Sequence, residues 1–287
     1  MKRVCAITGS NGYVGGCLKR YFAMYGWDVL ELIRRPAPGA RAVAFQLGAE
    51  VSPQALAGVN ALVHCAYDFK PLRREDIHAV NVEGTRKLFR AARAAGVGKI
   101  VCVSSISAYD GCRSLYGRAK LEIEKLAREN GAQVVRPGLV YGGEPTGMFG
   151  RLVAQVRNSS VLPVFGGGAQ AQFLVHQEDL SAFIEKAAAG KVEFVPRALT
   201  AAHERPWPFR ELLTEIARGL DKRIRFVRLP WRLLWAGLKT AETCGVRLNF
   251  RSDSLVSLRY QNPAPDFSPN AAAGLACRPF DIQKVKL

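Results

Sequence analysis

The sequence lacks the cysteine patterns that mark metal-binding and disulfide-stabilised domains. Its seven cysteines include no CxxC pair, and structural zinc sites are normally built from such pairs. An odd number of irregularly spaced cysteines, with no secretory signal ahead of Cys5, also argues against a disulfide framework. We therefore expect reduced thiols, a cytoplasmic location and no metal site.

The sequence also lacks a long hydrophobic run and is poor in acidic residues. Its longest apolar stretches are too short to cross a bilayer, so we expect no transmembrane segment. Only 24 Asp and Glu stand against 41 Lys and Arg, which gives a formal net charge of +17. Such a charge suits nucleic acid, an acidic membrane surface or an anionic substrate. Because the basic residues are spread along the chain without a nucleic-acid-binding motif, we interpret them as a basic surface with phosphate pockets. We expect a small-molecule partner and no nucleic acid.

What the sequence does contain is a regular alternation of strand and helix patterns. Apolar strand-like runs at 4–7, 27–33, 42–47, 61–66 and 99–105 are separated by segments with helical periodicity. This alternation predicts an α/β fold with a parallel sheet, right-handed crossovers and ligands at the carboxyl ends of the strands. With 287 residues, 48% of them hydrophobic, the chain can form one large domain or two unequal ones.

The first strand runs into a turn with three spaced glycines, Gly9, Gly12 and Gly15. In a strand–turn–helix phosphate site the first glycine permits a tight turn, and the second lets the backbone approach a pyrophosphate. The third allows the helix to pack closely on the strand. The anion then binds to free N–H groups at the helix N-terminus. The segment therefore predicts a dinucleotide site.

The end of the second strand indicates which dinucleotide binds. An acidic residue there would bond both ribose hydroxyls, whereas arginine suits a 2′-phosphate. Ile33 occupies the expected acidic position, and Arg34 and Arg35 follow it. We therefore favour NADP(H), with NAD(H) as the other cofactor that the fold allows; the alternative is that the two arginines form only a solvated loop.

A Tyr-x-x-x-Lys pair, Tyr116 and Lys120, follows the hydroxyl-ended strand 99–105. Residues four apart share one face of a helix, so the Lys120 ammonium would lie near the phenol and favour its ionised form. Tyr116 could then act as general acid or base toward an alcohol or carbonyl oxygen that Ser105 holds by hydrogen bonding. Lys120 could also bind the nicotinamide ribose. His64 is another catalytic candidate, but a histidine in a buried strand is more often packed and hydrogen-bonded.

Together these motifs resemble the extended, epimerase/dehydratase-like branch of the short-chain dehydrogenase/reductase superfamily. The segments that carry the resemblance extend to about residue 185 and are Thr8-Gly9-x-x-Gly12-x-x-Gly15, Leu62–Ala66, Asn81–Thr85, Ser104-Ser105, Tyr116-x-x-x-Lys120, Arg136–Gly142 and His176–Leu180. The resemblance implies a doubly wound, Rossmann-type parallel sheet over 1–165, to which 170–200 returns, and a smaller C-terminal α/β substrate domain mainly over 166–287. It also implies hydride transfer at nicotinamide C4, coupled to proton transfer through Tyr116.

From the motifs and this resemblance we assign candidate residues to each part of the site. The candidate catalytic residues are Ser105, Tyr116, Lys120 and Asn81, the last matching a family asparagine that supports the central helix and a water-linked proton path. The candidate cofactor-binding residues are Gly9, Asn11, Gly12, Tyr13, Val14, Gly15, Arg34, Arg35, Leu47, Cys65, Ala66, Tyr67, Ser104, Tyr116, Lys120 and Pro137. The candidate substrate-binding residues are Tyr67, Ser105, Tyr141 and Arg151.

Three departures from the family pattern affect these assignments. The loop 106–115 between Ser105 and Tyr116 is short, so part of the usual pocket wall is missing or rebuilt. The segment 170–173 has no arginine, although relatives that grip a uridine diphosphate often have one there. Gln46-Leu47 stands where the family commonly has an acidic residue and leucine near adenine, so we expect the adenine contacts to come from the backbone and Leu47.

These features favour an NADPH-dependent ketoreductase acting on a sugar-like, nucleotide-linked or otherwise anionic substrate, with a homodimer as one assembly to test. The alternative is a nucleotide-sugar epimerase or dehydratase that retains NAD. An alternative of another class is a non-catalytic nucleotide-binding assembly subunit. The intact set of Ser105, Tyr116 and Lys120 argues against that last interpretation.

Two features of the C-terminal third bear on the substrate side. A helix is predicted from Pro230 to about Thr243, and its Trp231, Trp235, Arg232 and Lys239 suit contact with a membrane surface. We favour the alternative that this helix covers the small domain. The segment 267–271 is predicted to begin a capped helix.

Overall fold

The structure is a computed structural model that describes residues 2–144, 146–246 and 250–285. Its strands, in chain order, are β1 (Val4–Thr8), β2 (Asp28–Ile33), β3 (Ala42–Ala44), β4 (Ala61–His64), β5 (Lys99–Val103), β6 (Gln133–Pro137), β7 (Leu139–Tyr141), β8 (Val161–Val164), β9 (Ala171–Gln172), β10 (Leu174–His176), β11 (Leu199–Ala201), β12 (Trp207–Pro208) and β13 (Arg225–Arg228). Its helices are α1 (Tyr13–Met24), α2 (Arg74–Ile77), α3 (Glu83–Ala94), α4 (Leu115–Glu129), α5 (Gly147–Asn158), α6 (Gln177–Ala188), α7 (Phe209–Gly219), α8 (Trp231–Thr243) and α9 (Ser252–Arg259). A π-helical turn, His78–Val82, joins α2 to α3.

Seven parallel strands form the central sheet, in the spatial order β11-β6-β5-β4-β1-β2-β3. Side chains alternate across it, so Cys5 and Ile7 face a layer containing α1 and α6, while Ala6 faces a layer containing α3 and α4. Both faces are therefore covered, which explains why the strands read as nearly continuous apolar runs. The predicted α/β class with a doubly wound parallel sheet is confirmed.

The strand order reverses at β1, which pairs with β2 on one side and with β4 on the other. The connections on the two sides of this point run in opposite directions across the sheet. A crevice therefore opens at the carboxyl ends of β1 and β4, where doubly wound sheets bind their ligands.

A third hydrophobic cluster lies beyond β6. It joins α5 and α7 to β7, β8 and β10 and to the C-terminal residues Phe280 and Ile282. Further along the chain, β11 pairs with β6 in the main sheet. The division into two domains near residue 165 stays a prediction.

The structure corrects one predicted helix start. Residues 268–274 form hydrogen-bonded turns instead of a helix. The Asn270 amide is engaged with the backbone of Thr200, donating to its carbonyl at 2.8 Å and accepting from its N–H at 3.1 Å. Since Gly274 then takes a φ of +62°, the segment turns away at the point where a helix would continue.

Over the described residues, no helix is both long and apolar enough to cross a membrane. The same part of the chain contains no group of three His, Cys, Asp or Glu side chains placed to hold a metal ion.

His64 lies fully buried at the end of β4 between two threonine hydroxyls. Its Nδ1 is 2.8 Å from Thr8 Oγ1 and its Nε2 is 2.9 Å from Thr85 Oγ1. Thr85 donates its proton to the Asn81 carbonyl, so it must accept from Nε2–H, and Nδ1 then accepts from Thr8. These bonds fit a neutral imidazole in the packed role that we favoured. Burial, aided by the charge of Lys120, lowers the pKa of His64 to about 3.

This buried histidine should make the fold sensitive to acid. Below pH ~6.5 His64 binds a proton in the unfolded chain but stays neutral in the folded chain. The free energy of unfolding therefore falls by up to about 1.4 kcal/mol for each unit by which the pH is lowered. Urea unfolding should therefore show a loss of about 2 kcal/mol from this group between pH 7 and pH 5. His64→Gln should remove that part of the pH dependence, and His203→Gln should not. An unchanged pH dependence in His64→Gln would contradict the neutral assignment.

Candidate active site

The glycine turn between β1 and α1 has the geometry of an anion cradle. Gly9 adopts a φ of +71°, and a Cβ on Gly15 would lie 2.2 Å from the Gly9 carbonyl oxygen. No side chain caps α1 at Gly12, and no acidic residue stands in its first turn. The turn therefore presents backbone N–H groups without a competing carboxylate, and its residues fit a dinucleotide pyrophosphate.

The other predicted cofactor residues are spread over several elements, and their contacts with a cofactor stay a prediction. The N–H groups of Cys65 and Ala66 donate to Thr8 Oγ1 at 3.0 and 3.1 Å, which fixes the turn after β4 beside the glycine turn. Arg34 and Arg35 are exposed directly after β2. The remaining residues lie in the glycine turn and α1 (Asn11, Tyr13, Val14), next to the second core cluster (Leu47) and at the end of β6 (Pro137).

Lys120 is buried beneath the carboxyl end of β5. Its Nζ donates to the Val103 carbonyl at 2.9 Å and lies 5.3 Å from the centroid of the Tyr67 ring. The Tyr67 ring in turn makes an edge contact with Tyr116, with centroids 4.9 Å apart. The structure thus brings Lys120 and Tyr116 to the sheet edge around one shared aromatic ring.

Tyr67, Phe69 and Tyr116 form an aromatic wall. Phe69 stacks on Tyr116 with centroids 5.5 Å apart and tilts against Tyr67 at 4.8 Å. Its side chain is nevertheless 57% exposed. An apolar surface therefore stands open beside the phenol of Tyr116.

Asn81 braces the loop that carries this wall. Its Oδ1 accepts from the Asp68 N–H at 2.7 Å, and its Nδ2 donates to the Asp68 carbonyl at 3.1 Å. Asp68 lies between Tyr67 and Phe69, so Asn81 acts on the site through the backbone of that loop. Ser105 stands at the end of β5, where its Oγ accepts from the Ser107 N–H at 3.1 Å.

A buried carboxylate, which sequence reasoning missed, fixes α4 against the sheet. Glu124 accepts from both Nε and Nη2 of Arg136, at 2.8 and 2.7 Å, and from Ser104 Oγ at 2.6 Å. The Ser104 hydroxyl is therefore engaged away from the cofactor crevice. Glu124 stands one further i+4 step along the helix face of Tyr116 and Lys120, and this spacing was the signal available in the sequence.

Asp253 of α9 is a second group that sequence reasoning missed. Its two carboxylate oxygens accept from the N–H groups of Leu115 and Tyr116, at 2.8 and 3.0 Å, while Ser114 caps Gly117. A carboxylate from a distant part of the chain thus stabilises the first turn of α4. No local pattern around 252–259 indicated this contact.

Two predicted substrate residues lie in different surroundings. Tyr141 is buried among Phe149, His176 and Phe280, and its hydroxyl donates to the Pro279 carbonyl at 3.2 Å. Burial raises the pKa of Tyr141 to about 12. This packing argues against the expected substrate contact, because the ring contributes to the third core cluster. Arg151 lies exposed on α5.

Residues 5–198 match the sequence model of the NAD dependent epimerase/dehydratase family. The chain therefore belongs to that family and, as expected from its motifs, to the extended short-chain dehydrogenase/reductase superfamily. Ceramide reductase of Caulobacter vibrioides is 31% identical over 241 residues, which cover 79% of this chain and 74% of the relative. The N-acetyl-α-D-glucosaminyl-diphospho-ditrans,octacis-undecaprenol 4-epimerase of Escherichia coli O157:H7 is 22% identical over 259 residues, covering 79% and 75%.

Among solved structures, MoeE5 in complex with UDP-glucuronic acid and NAD superposes with a TM-score of 0.74. It is 20% identical, and the superposition covers 98% of this chain and 97% of that chain. This similarity shows a shared fold. The family and its relatives are NAD-dependent epimerases, dehydratases and reductases, so the chain is an enzyme of this type.

The Asp253 cap should be measurable in the stability of α4. Asp253→Ala leaves two N–H groups of the first turn without their carboxylate, so the free energy of unfolding should fall by about 1 kcal/mol. Asp253→Asn, which keeps an acceptor oxygen, should recover part of this loss in urea unfolding. Asp110→Ala removes an exposed carboxylate outside the cap and should change little. Equal stability of Asp253→Ala and Asp110→Ala would contradict the cap.

Proposed function

We propose that the protein is an NADPH-dependent ketoreductase whose substrate is a ketone on a lipid-like molecule. The observation that carries the proposal is the buried Lys120 ammonium, which lies 5.3 Å from the centroid of the Tyr67 ring, and that ring contacts Tyr116 at the carboxyl end of β5. A fixed positive charge at this sheet edge stabilises negative charge that develops on a reacting oxygen there. The aromatic wall next to it offers an apolar surface to the substrate.

NADPH, which the glycine turn, Arg34 and Arg35 would hold, would supply the hydride for the carbonyl carbon. Tyr116 donates its hydroxyl proton to the carbonyl oxygen, so that the ketone becomes an alcohol. Ser105 donates a hydrogen bond to the same oxygen while negative charge develops on it. Lys120 stabilises the Tyr116 phenolate that remains, until a proton returns from solvent.

The preference for NADPH rests on Arg34 and Arg35. Both are exposed directly after β2, and among the described residues neither forms an ion pair with a carboxylate. Guanidinium groups bind phosphate through paired hydrogen bonds. The two arginines therefore support a 2′-phosphate contact that NADH would not make.

Three observations support a lipid-like substrate. Phe69 exposes its ring beside Tyr116. The segment 170–173 lacks the arginine that would hold a uridine diphosphate. Two relatives carry names that specify lipids, ceramide and an undecaprenol.

A nucleotide-linked sugar is the second candidate, either as a ketone to be reduced or as the substrate of an epimerase or dehydratase that retains NAD. One observation favours it. Arg113 and Arg259 both stack on the Tyr260 ring, 4.3 and 5.2 Å from its centroid, next to the loop 106–115. Two neighbouring guanidinium groups could hold a diphosphate.

The test is NADPH oxidation with matched ketones: a keto analogue of ceramide and a UDP-4-keto sugar. We expect turnover with the lipid ketone, and Tyr116→Phe should lower kcat by about 100- to 10,000-fold because the proton donor is lost. Binding of NADPH, followed by fluorescence, should persist in this variant. Tyr25→Phe, an exposed tyrosine at the end of α1, is the control. Full activity of Tyr116→Phe would remove Tyr116 from the reaction, and turnover of only the UDP sugar would favour the second candidate.

Cofactor choice has its own test. The double variant Arg34→Ala/Arg35→Ala should lose at least about ten-fold in kcat/KM for NADPH, since charge-assisted hydrogen bonds to the phosphate disappear. Its kcat/KM for NADH should remain unchanged. Arg41→Ala, which removes a nearby arginine paired with Asp28, serves as the control. A wild-type enzyme that prefers NADH would contradict the assignment.

A further inference from the structure

The helix α8 is unusually exposed for a helix rich in leucine and tryptophan. None of its 13 residues is buried, although Leu233 and Trp235 are among its side chains. Leu233 is 69% exposed. We had favoured a helix that covers the small domain, but the structure leaves much of its apolar surface open. Globular proteins seldom expose a continuous apolar surface without a use for it.

This open surface is continuous. A shallow groove of about 380 Å³ is lined by Leu229, Leu233, Leu234, Gly237 and Leu238. Leu234 and Leu238 are four residues apart, as are Leu233 and Gly237, so the groove follows one side of α8. We call the apolar set Leu229, Leu233, Leu234 and Leu238 the α8 surface.

The segment that carries the α8 surface is rich in basic residues. Between positions 222 and 241 the sequence has six basic residues and no acidic one. Five of the six are exposed and, within the described part of the chain, none of the five pairs with a carboxylate; they are Arg223, Arg225, Arg228, Arg232 and Lys239. An exposed apolar face beside unpaired basic side chains is typical of helices that lie in the interface of an anionic membrane.

We propose that the α8 surface docks the enzyme on an anionic lipid membrane. Leu229 and Leu233 would enter the headgroup–acyl boundary, while Arg228 and Arg232 would contact lipid phosphates. A second copy of the chain fits this surface less well. A two-fold dimer would place the same basic residues against each other, and like charges oppose such contact.

The neighbouring helix connects this surface to the active site. Glu242, near the end of α8, accepts from the N–H and the hydroxyl of Ser252, both at 2.7 Å, where α9 begins. The next residue, Asp253, caps the helix that carries Tyr116. Arg251 donates to the carbonyls of Phe69 and Pro71. The bonds of Glu242 and Arg251 thus link α8 and the start of α9 to the loop with the aromatic wall, although docking through the α8 surface does not require a lipid substrate.

The test is co-sedimentation with vesicles of phosphatidylcholine alone or mixed with phosphatidylglycerol. The wild-type enzyme should bind the mixed vesicles, and high salt should weaken this binding because it screens the phosphate contacts. Leu233→Glu should reduce partitioning at least about ten-fold, since it removes an inserted leucine and adds a negative charge. Met24→Glu is the matched control, because Met24 is 72% exposed on α1.

Two double variants test whether vesicle binding depends on the basic residues near the α8 surface or only on the net charge of the protein. Arg228→Gln/Arg232→Gln should reduce partitioning about ten-fold or more, since each basic group near an anionic surface strengthens binding. Lys125→Gln/Lys191→Gln, which removes the same total charge elsewhere, should have little effect. Three results would overturn the proposal. The wild-type enzyme could fail to bind either vesicle type, or the Leu233→Glu and Met24→Glu variants could bind equally well. Light scattering could also show a dimer that Leu233→Glu dissociates. NADPH binding by every variant shows that it is folded, and vesicle binding without lipid-ketone turnover would separate docking from the proposed reaction.

Discussion

The carboxylate of Glu124 sits at the point where three elements of the site meet. It is buried on α4, accepts hydrogen bonds from Nε and Nη2 of Arg136 on β6, and accepts another from the Ser104 hydroxyl after β5. A buried charge is costly unless its lone pairs are satisfied by good hydrogen bonds, and here they are. Because α4 is locked in this way, Lys120 one turn earlier is held under β5 and Tyr116 is held at the sheet edge. The geometry around the phenol depends on this ion pair.

A second level of organisation is the loop after β4. Asn81 bonds both the N–H and the carbonyl of Asp68, and so holds Tyr67 and Phe69 against α4. The π-helical turn at 78–82 presents this asparagine. The family-like asparagine is thus connected to the apolar face of the site, and this single side chain orients two of the three rings of the aromatic wall. Because the Asn81 amide is bonded through both its oxygen and its nitrogen, the backbone of the loop is held in one conformation before any substrate binds.

Much of the fold could be predicted from the sequence because its signals are local. The glycine turn, the alternating apolar runs and the Tyr116/Lys120 spacing each operate within a few residues, and the predicted α/β class is confirmed. The missed features depend on long-range pairing. Asp253 reaches α4 from a helix of only eight residues, whose short pattern carries no signal of its partner. Tyr141, a predicted substrate residue, packs in the third core cluster with its hydroxyl bonded to a carbonyl, an arrangement open to any buried tyrosine.

The match to the family model ends at residue 198, yet the site does not end there. Arg251 and Asp253 lie beyond that limit and hold the backbone on both sides of the phenol. The part of the chain beyond the family match therefore contacts the backbone that positions the Tyr116 phenol. In such an architecture, changes in the C-terminal helices can retune a shared reaction centre for new molecules while the residues that perform the chemistry stay as they are.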